Sequence, residues 1–288
     1  MHKSQSAMEY LMTYGWAILA IAVVMVSLYS LGIFNLGNLQ PSATPGSCQI
    51  IKTAAQTNLA GQCNNLIPKY VGQFNGATSY ITVADSKVQR SMTSITLVGW
   101  MNSPTTDVNS YDMIVAKYGL NITGYSLYLT GGALRCTLYN PTGGPVDHSA
   151  FSNIHDGKWH FVACTFDGST MTLYEDGTNT ASWSGTWPVA GAWATAPLGI
   201  GYRGGLNLNG YIADVQVYNA SLDSSSIKAL YREGIGGVPV DLQHIVAWYP
   251  LNGNGNDYSG FNNNANMSNI VNVIWNANWQ TGYATPSS

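Results

Sequence analysis

Few side chains in these 288 residues can do chemistry, since only 9% are charged and just three are Glu: Glu9, Glu175 and Glu233. Glycoside cleavage needs two carboxylates facing each other across the scissile bond. Here Glu9 lies at the edge of an apolar run, Glu175 in a turn and Glu233 near a helix end, and no Glu-x-Asp-x-x-Glu strand exists. There is no Gly-x-Ser-x-Gly elbow and no His pair at metal-ligand spacing. The five His are scattered, and His155 and His160 read as turn and strand surface residues. An enzyme is therefore not expected.

Binding chemistry has more to work with. Trp183, Trp187 and Trp193 fall within SWSGTWPVAGAW, where flat rings could stack on a sugar or a partner; the alternative is that they complete a core, as most Trp do. The loop NGNGND offers hard oxygens from Asn252, Asn254, Asn256 and Asp257 to a structural calcium, or is simply a set of Asn-Gly turns. No other cofactor is expected. A net charge of -3 without a basic patch excludes a nucleic-acid partner.

These groups must be positioned mostly by strands. The chain holds 31 Gly, 18 Tyr and 9 Trp, a composition of short strands and tight turns. TSITLVGWMNS places Ile95, Leu97, Gly99 and Met101 on one face. Asp167-Gly168 and Asp176-Gly177 mark two hairpin turns around a strand from Met171 to Tyr174. A short helix opens at a cap, Asp223, and turns Ile227 and Leu230 inward. Cys48 and Cys63 stand close enough to staple a neck, the short loop being the least demanding to close.

The front of the chain differs. After Glu9 no charge appears until Lys52, and Leu11 to Phe34 is apolar over a length that would cross a bilayer. This segment is either an uncleaved signal anchor or something more specific. Gln5, Ser6, Ala7, Met8 and Glu9, followed by Tyr10 and the apolar run, resemble the class III signal of archaeal type IV pilin-like proteins. The resemblance implies cleavage between Ser4 and Gln5, then self-assembly in which the new amino group of Gln5 meets Glu9 of a neighbour, the membrane being the partner before assembly. Asn121, Asn219 and Asn266 begin N-glycosylation sequons, in keeping with export and a cell-surface or extracellular location.

Phe74-Asn75-Gly76, Tyr80-Ile81-Thr82-Val83, Asp156-Gly157-Lys158-Trp159-His160-Phe161-Val162, Leu173-Tyr174-Glu175-Asp176-Gly177 and Gly210-Tyr211-Ile212-Ala213-Asp214-Val215 occur in that order. Together they resemble a LamG-type, concanavalin A-like jelly roll, which implies a mainly β fold of two antiparallel sheets packed face to face. On that fold Cys136 and Cys164 point into one core, as a disulfide or as two buried thiols. His244 to Met267 resembles the segment with which that family begins, displaced to the end. It could close the sandwich in cis as a circular permutation, be donated to a neighbour, or start a second repeat; closure in cis is favoured by the long linker from Arg232 to Gln243.

The expected organisation is a leader (1–4), a hydrophobic helix (5–36), a neck with Cys48 and Cys63 (37–69), the jelly roll (70–231) and a completing C-terminal segment (232–288). The expected role is a non-enzymatic, pilin-like surface adhesin binding a glycan or a surface protein. A membrane-anchored monomeric lectin is the alternative, and a glycan hydrolase a distant third.

Overall fold

The computed structural model describes residues 3–30, 42–63, 67–90, 92–104, 111–118, 124–140, 144–185, 195–274 and 283. They fall in two compact units, Met1–Pro41 and Ser42–Ser288. The first contains helix α1, Lys3–Ser30. Its described apolar side chains, among them Trp16, Ile18, Ile21 and Val26, are exposed. Among the described residues no helix is long and apolar enough to cross a membrane. The expected span from Leu11 to Phe34 runs past the described side chains at both ends, and the side chains of Ser4, Gln5 and Glu9 lie outside them.

The second unit opens with β1 (Ser42–Ala43), β2 (Cys48–Lys52), β3 (Thr57–Gly61), β4 (Ile67–Pro68), β5 (Tyr70–Asn75) and β6 (Ile81–Val83). Long strands follow: β7 (Ile95–Asn102), β8 (Tyr111–Tyr118), β9 (Gly124–Thr130), β10 (Ala133–Asn140), β11 (Gly144–Ser149) and β12 (Trp159–Phe166). Then come β13 (Thr170–Glu175), β14 (Thr178–Ser184), β15 (Leu198–Ile200), the ribbon β16 (Tyr202–Arg203) and β17 (Leu206–Asn207), and β18 (Asn209–Tyr218). Helix α2 (Ser224–Glu233) precedes β19 (Ile245–Tyr249), β20 (Ala265–Asn266) and β21 (Val271–Ile274).

Two sheets result. One runs β11-β10-β9-β8-β15-β6-β20, the other β14-β13-β12-β7-β18-β5-β21 with β19 also on β18. All their pairings are antiparallel. Between them lies one apolar cluster that includes Ile95, Leu97, Met101, Tyr125, Leu127, Leu134, Val162, Phe166 and Val217. Cys136 on β10 and Cys164 on β12 form a disulfide across it, joining the two sheets.

The expected turns and cap are present. Asp176 and Gly177 both have positive φ between β13 and β14, and the Asp223 side chain accepts from the Ser226 N–H at 2.7 Å. Ile227 and Leu230 are buried as expected.

β7 shows why alternation understated the core. Ile95, Leu97 and Met101 face the other sheet, while Val98 and Trp100 face a second cluster outside it with Trp159, Phe161, Ile227, Leu230, Ile245 and Trp248. The outer face of the eight-stranded sheet is thus closed by the chain's own α2, the segment after it and the hairpin β2–β3.

Within the expected neck, 37–69, that hairpin is docked on the sandwich. Ile50 is buried in the second cluster, its N–H donates to the Tyr258 carbonyl at 2.9 Å, and Lys52 Nζ donates to the Ile245 carbonyl at 2.7 Å. The Cys48–Cys63 disulfide closes this docked hairpin.

The C-terminal strands β19, β20 and β21 pair within their own chain. β5 holds Asn209–Ile212 of β18 and β19 holds Val215–Tyr218, so the two strands share one flank of β18. β20 then borders β6 and β21 borders β5.

Candidate functional site

The outer face of the seven-stranded sheet carries side chains of another kind, buried at its centre, where Ser126, Tyr128 and Thr137 are 0%, 5% and 2% exposed, and more accessible at its rim. Tyr125, Leu127 and Leu129 of β9 point to the core, which puts Ser126, Tyr128 and Thr130 outside. By register Arg135, Thr137 and Tyr139 of β10 and Asp147 of β11 share that side. Tyr111 and Tyr118 of β8 join them because a register shift between Met113 and Val115 restores the phase.

The face is tied together laterally. Asp147 accepts from Thr137 Oγ1 at 2.8 Å and from the Tyr128 hydroxyl at 3.2 Å, and pairs with Arg135 Nη2 at 3.0 Å. Burial pushes the Tyr128 phenol up to about 12, with Asp147 adding to the shift and Thr137 and Arg135 opposing it. Tyr111, 42% exposed, stacks on Tyr128 with ring centroids 6.0 Å apart.

At the other end of β8, Tyr118 and Tyr139 both lie opposite Gly124, which has no side chain to separate them, and their rings meet edge to face at 5.0 Å. The ribbon β16–β17 folds over this end of the sheet. Gly199 makes room: a Cβ there would stand 2.4 Å from the Tyr202 carbonyl oxygen. Gly204 and Gly205, both at positive φ, turn the ribbon. Its Arg203 guanidinium sits 4.1 Å from the Tyr118 ring centre and 4.8 Å from that of Tyr139.

The residues singled out from sequence lie elsewhere. Trp183 is half-buried on β14 and stacks on His148 of β11 at 4.4 Å and 9°, closing the side of the sandwich between the sheets. Trp187, Trp193 and Asn121 lie outside the described residues. Asn219 and Asn266 are exposed.

The NGNGND oxygens hold their own backbone. Asn252 accepts from the N–H groups of Lys69 and Tyr70, Asn254 from that of Asn256, and Asp257 from those of Trp248, Ser259 and Asn263. Among the described residues no group of three or more His, Cys, Asp or Glu could hold a metal ion.

His155 is not a surface residue. Its Nε2 lies 2.8 Å from Asp112 Oδ2 inside the protein, beside Ser103, whose hydroxyl donates to the same oxygen at 2.8 Å. His160 is half-buried, held by Asp176 at 2.9 Å and Asp156 at 3.1 Å. Lys117, fully buried, donates to Asp85 at 2.7 Å, and Asp85 also pairs with Arg90. Burial, with Arg90 pushing the same way, lowers the Lys117 ammonium to about 8.

A cavity of about 480 Å³, mouth included, opens between the neck disulfide, residues 235–238 and β19. Asp214 lines it, buried to 3% exposure, accepting from Trp248 Nε1 at 2.8 Å and Gln216 Nε2 at 2.9 Å.

These features define a class, the two-sheet antiparallel sandwich. The chain belongs to the Concanavalin A-like lectin/glucanases superfamily, whose model matches residues 75–228, more than half of its length.

Among solved structures it is similar to a candidate carbohydrate binding protein from Bacteroides ovatus ATCC 8483, at 17% identity over 79% of this chain and 66% of that one, with a TM-score of 0.57. It is also similar to the native heptameric SAP-like pentraxin from Limulus polyphemus, at 14% identity over 72% of this chain and 95% of that one, with a TM-score of 0.52. A third likeness, to the binding domain of Paraclostridial Mosquitocidal Protein 1, has 17% identity, a TM-score of 0.47, and covers 66% of this chain and 46% of that one. The chain thus spans just under two thirds of the first of these proteins and less than half of the third. At such identities the similarity is one of fold. No curated protein matches the chain.

Proposed function

We propose that this chain is a non-catalytic glycan-binding protein of the cell surface, with the outer face of the seven-stranded sheet as its binding site. The observation that carries the reading is the asymmetry of the sandwich. The eight-stranded sheet buries its outer side chains under the chain's own segments, whereas the outer face of the other sheet, around a buried centre, carries the exposed Tyr111 and the half-buried Tyr118, Tyr139, Arg135 and Arg203. Tyrosine rings with hydroxyls and charged donors between them suit a ligand that is apolar on its flat faces and polar at its rim, as a pyranose is. The one carboxylate in this set, Asp147, is taken by Arg135, Thr137 and Tyr128, which favours binding over hydrolysis.

The full chain in detergent, applied to a glycan array, is expected to bind a definite subset. Tyr111→Ala should weaken that binding about two- to tenfold, the worth of one aromatic contact. Binding untouched by this substitution would remove the site from this face.

The exposed apolar side chains of α1 and the lack of charge from Tyr10 to Ile51 support a pilin-like helix that self-assembles after removal of residues 1–4. Mass spectrometry of native material should find a mature N-terminus at Gln5, and an intact Met1 in dispersed single molecules would defeat the filament.

A further inference from the structure

Charge on the open face is unevenly balanced. Arg135 is neutralised by Asp147 at 3.0 Å. Arg203 is half-buried beside the rings of Tyr118 and Tyr139, and among the described residues no carboxylate pairs with it. Most acids are committed elsewhere: Asp85 to Arg90 and Lys117, Asp112 to His155, Asp156 and Asp176 to His160, Asp241 to His244. The connections that follow Tyr118 and Asn140, GLNIT and PTG, contain no acid. The position is also built: Gly199, opposite Ala116, leaves the space into which the ribbon settles, and two tyrosine rings pack against the guanidinium.

Resting on the glycan-binding reading, we infer that this face selects an acidic glycan, with Arg203 receiving the anionic group, a uronate carboxylate or a sulfate ester. A guanidinium held beside aromatic rings by cation–π attraction has no hydrogen-bond acceptor in them for its N–H fork, which a planar carboxylate can meet by two parallel bonds. The cost of fixing that fork is already met by the two tyrosines, so little side-chain freedom is lost on binding. Tyr111 stands seven residues from Tyr118 along β8, about 23 Å at an ordinary strand rise. That length suits an oligosaccharide, stacked on tyrosine at one end and held by its charge at the other.

The test uses the full chain in detergent and oligomers of galacturonate, alginate and hyaluronan, each beside its carboxyl-reduced form, with dextran sulfate as a separate arm. The acidic form of at least one should bind about ten- to a hundredfold more tightly than its reduced partner, the range of a charged hydrogen-bond pair. Arg203→Gln should erase that ratio, and Arg203→Lys should recover only part of it. Preference for dextran sulfate, lost in Arg203→Gln, would identify sulfate as the source of the charge. If acidic and reduced forms bind alike, or the preference survives in Arg203→Gln, this inference fails while glycan binding stands. If no glycan of either kind binds, the reading beneath it fails as well.

Discussion

Asp214 supplies the sharpest stability test. It occupies the register shift of β18 between Ala213 and Gln216, at a positive φ of 48°, buried and with donors rather than a cation around it. Burial raises its carboxyl from 3.8 to about 7, against the pull of the Gln216 and Trp248 hydrogen bonds. Because the folded value lies above the unfolded one, the stability linked to this group is fully present below pH 3.8 and is lost as pH rises through about 7. Proton linkage between those two values gives a loss of about 2 to 3 kcal/mol from pH 5 to pH 8. Asp214→Asn cannot ionise. Its amide oxygen can still accept one of the two donors, but the other faces an NH2, at a cost of about 1 to 3 kcal/mol. Urea unfolding at pH 5, 6, 7 and 8 should therefore show the variant less stable at pH 5 and level with the natural chain, or above it, at pH 8. A gap that stays constant over this range would mean that Asp214 ionises normally, and the account of a buried neutral acid would be wrong.

Three further outcomes follow from the same geometry. Replacing Cys136 and Cys164 by Ala releases a cross-link of sequence separation 28, worth about 3.6 kcal/mol by loop entropy, and should lower the melting temperature by about 7 to 14 °C in a calorimetric scan. Removing Cys48–Cys63, at separation 15, is worth about 3.0 kcal/mol on the same reckoning, but it sits in a peripheral hairpin, so hydrogen exchange should report local opening of β2–β3 ahead of any global change. For His160, burial opposes the charge, but Asp176 and Asp156 outweigh it and raise the imidazole above 6.5. Its support is therefore fully present below that value and fades as pH climbs through the folded one. His160→Asn should cost about 0.5 to 1 kcal/mol at pH 5.5 and almost nothing at pH 9, by urea titration.

What could be read in the sequence was whatever local rules govern. Asp-Gly turns, the Asp223 cap and the alternation of β7 follow from backbone preference and a period of two, whereas the sandwich was legible through the resemblance to a LamG-type jelly roll. That Cys136 and Cys164 point into one core was legible on the fold the resemblance implied; that they are bonded, rather than two buried thiols, was not. The binding face was harder, although the same alternation writes Ser126, Tyr128, Arg135, Thr137 and Tyr139 on the outer side. What hid it was tertiary: Arg203 reaches Tyr118 and Tyr139 only because Gly199 lets a ribbon fold back over the sheet. Tyr202-Arg203-Gly204-Gly205, a two-residue glycine turn after a short apolar run, was the available signal. His155 looked like a turn residue because nothing local announces its buried partner, Asp112, 43 positions earlier by the numbering. Trp183 reads as a platform only until β11 brings His148 against its face.

The order of strands teaches a related point. A site on an antiparallel sheet edge accepts any segment with the right face and direction, whatever its place along the chain. β5 occupies half of one flank of β18 and β19 the other half, though about 170 residues part them in the sequence, and the hydrogen-bond ladder is continued by both. Here β19 brings Trp248 onto Asp214 and Ile245 onto Lys52 of the hairpin, so this late strand both extends the sheet and anchors the cover over its outer face. With that side closed, the proposed glycan surface lies on the opposite sheet, around Tyr111, Tyr118, Tyr139 and Arg203.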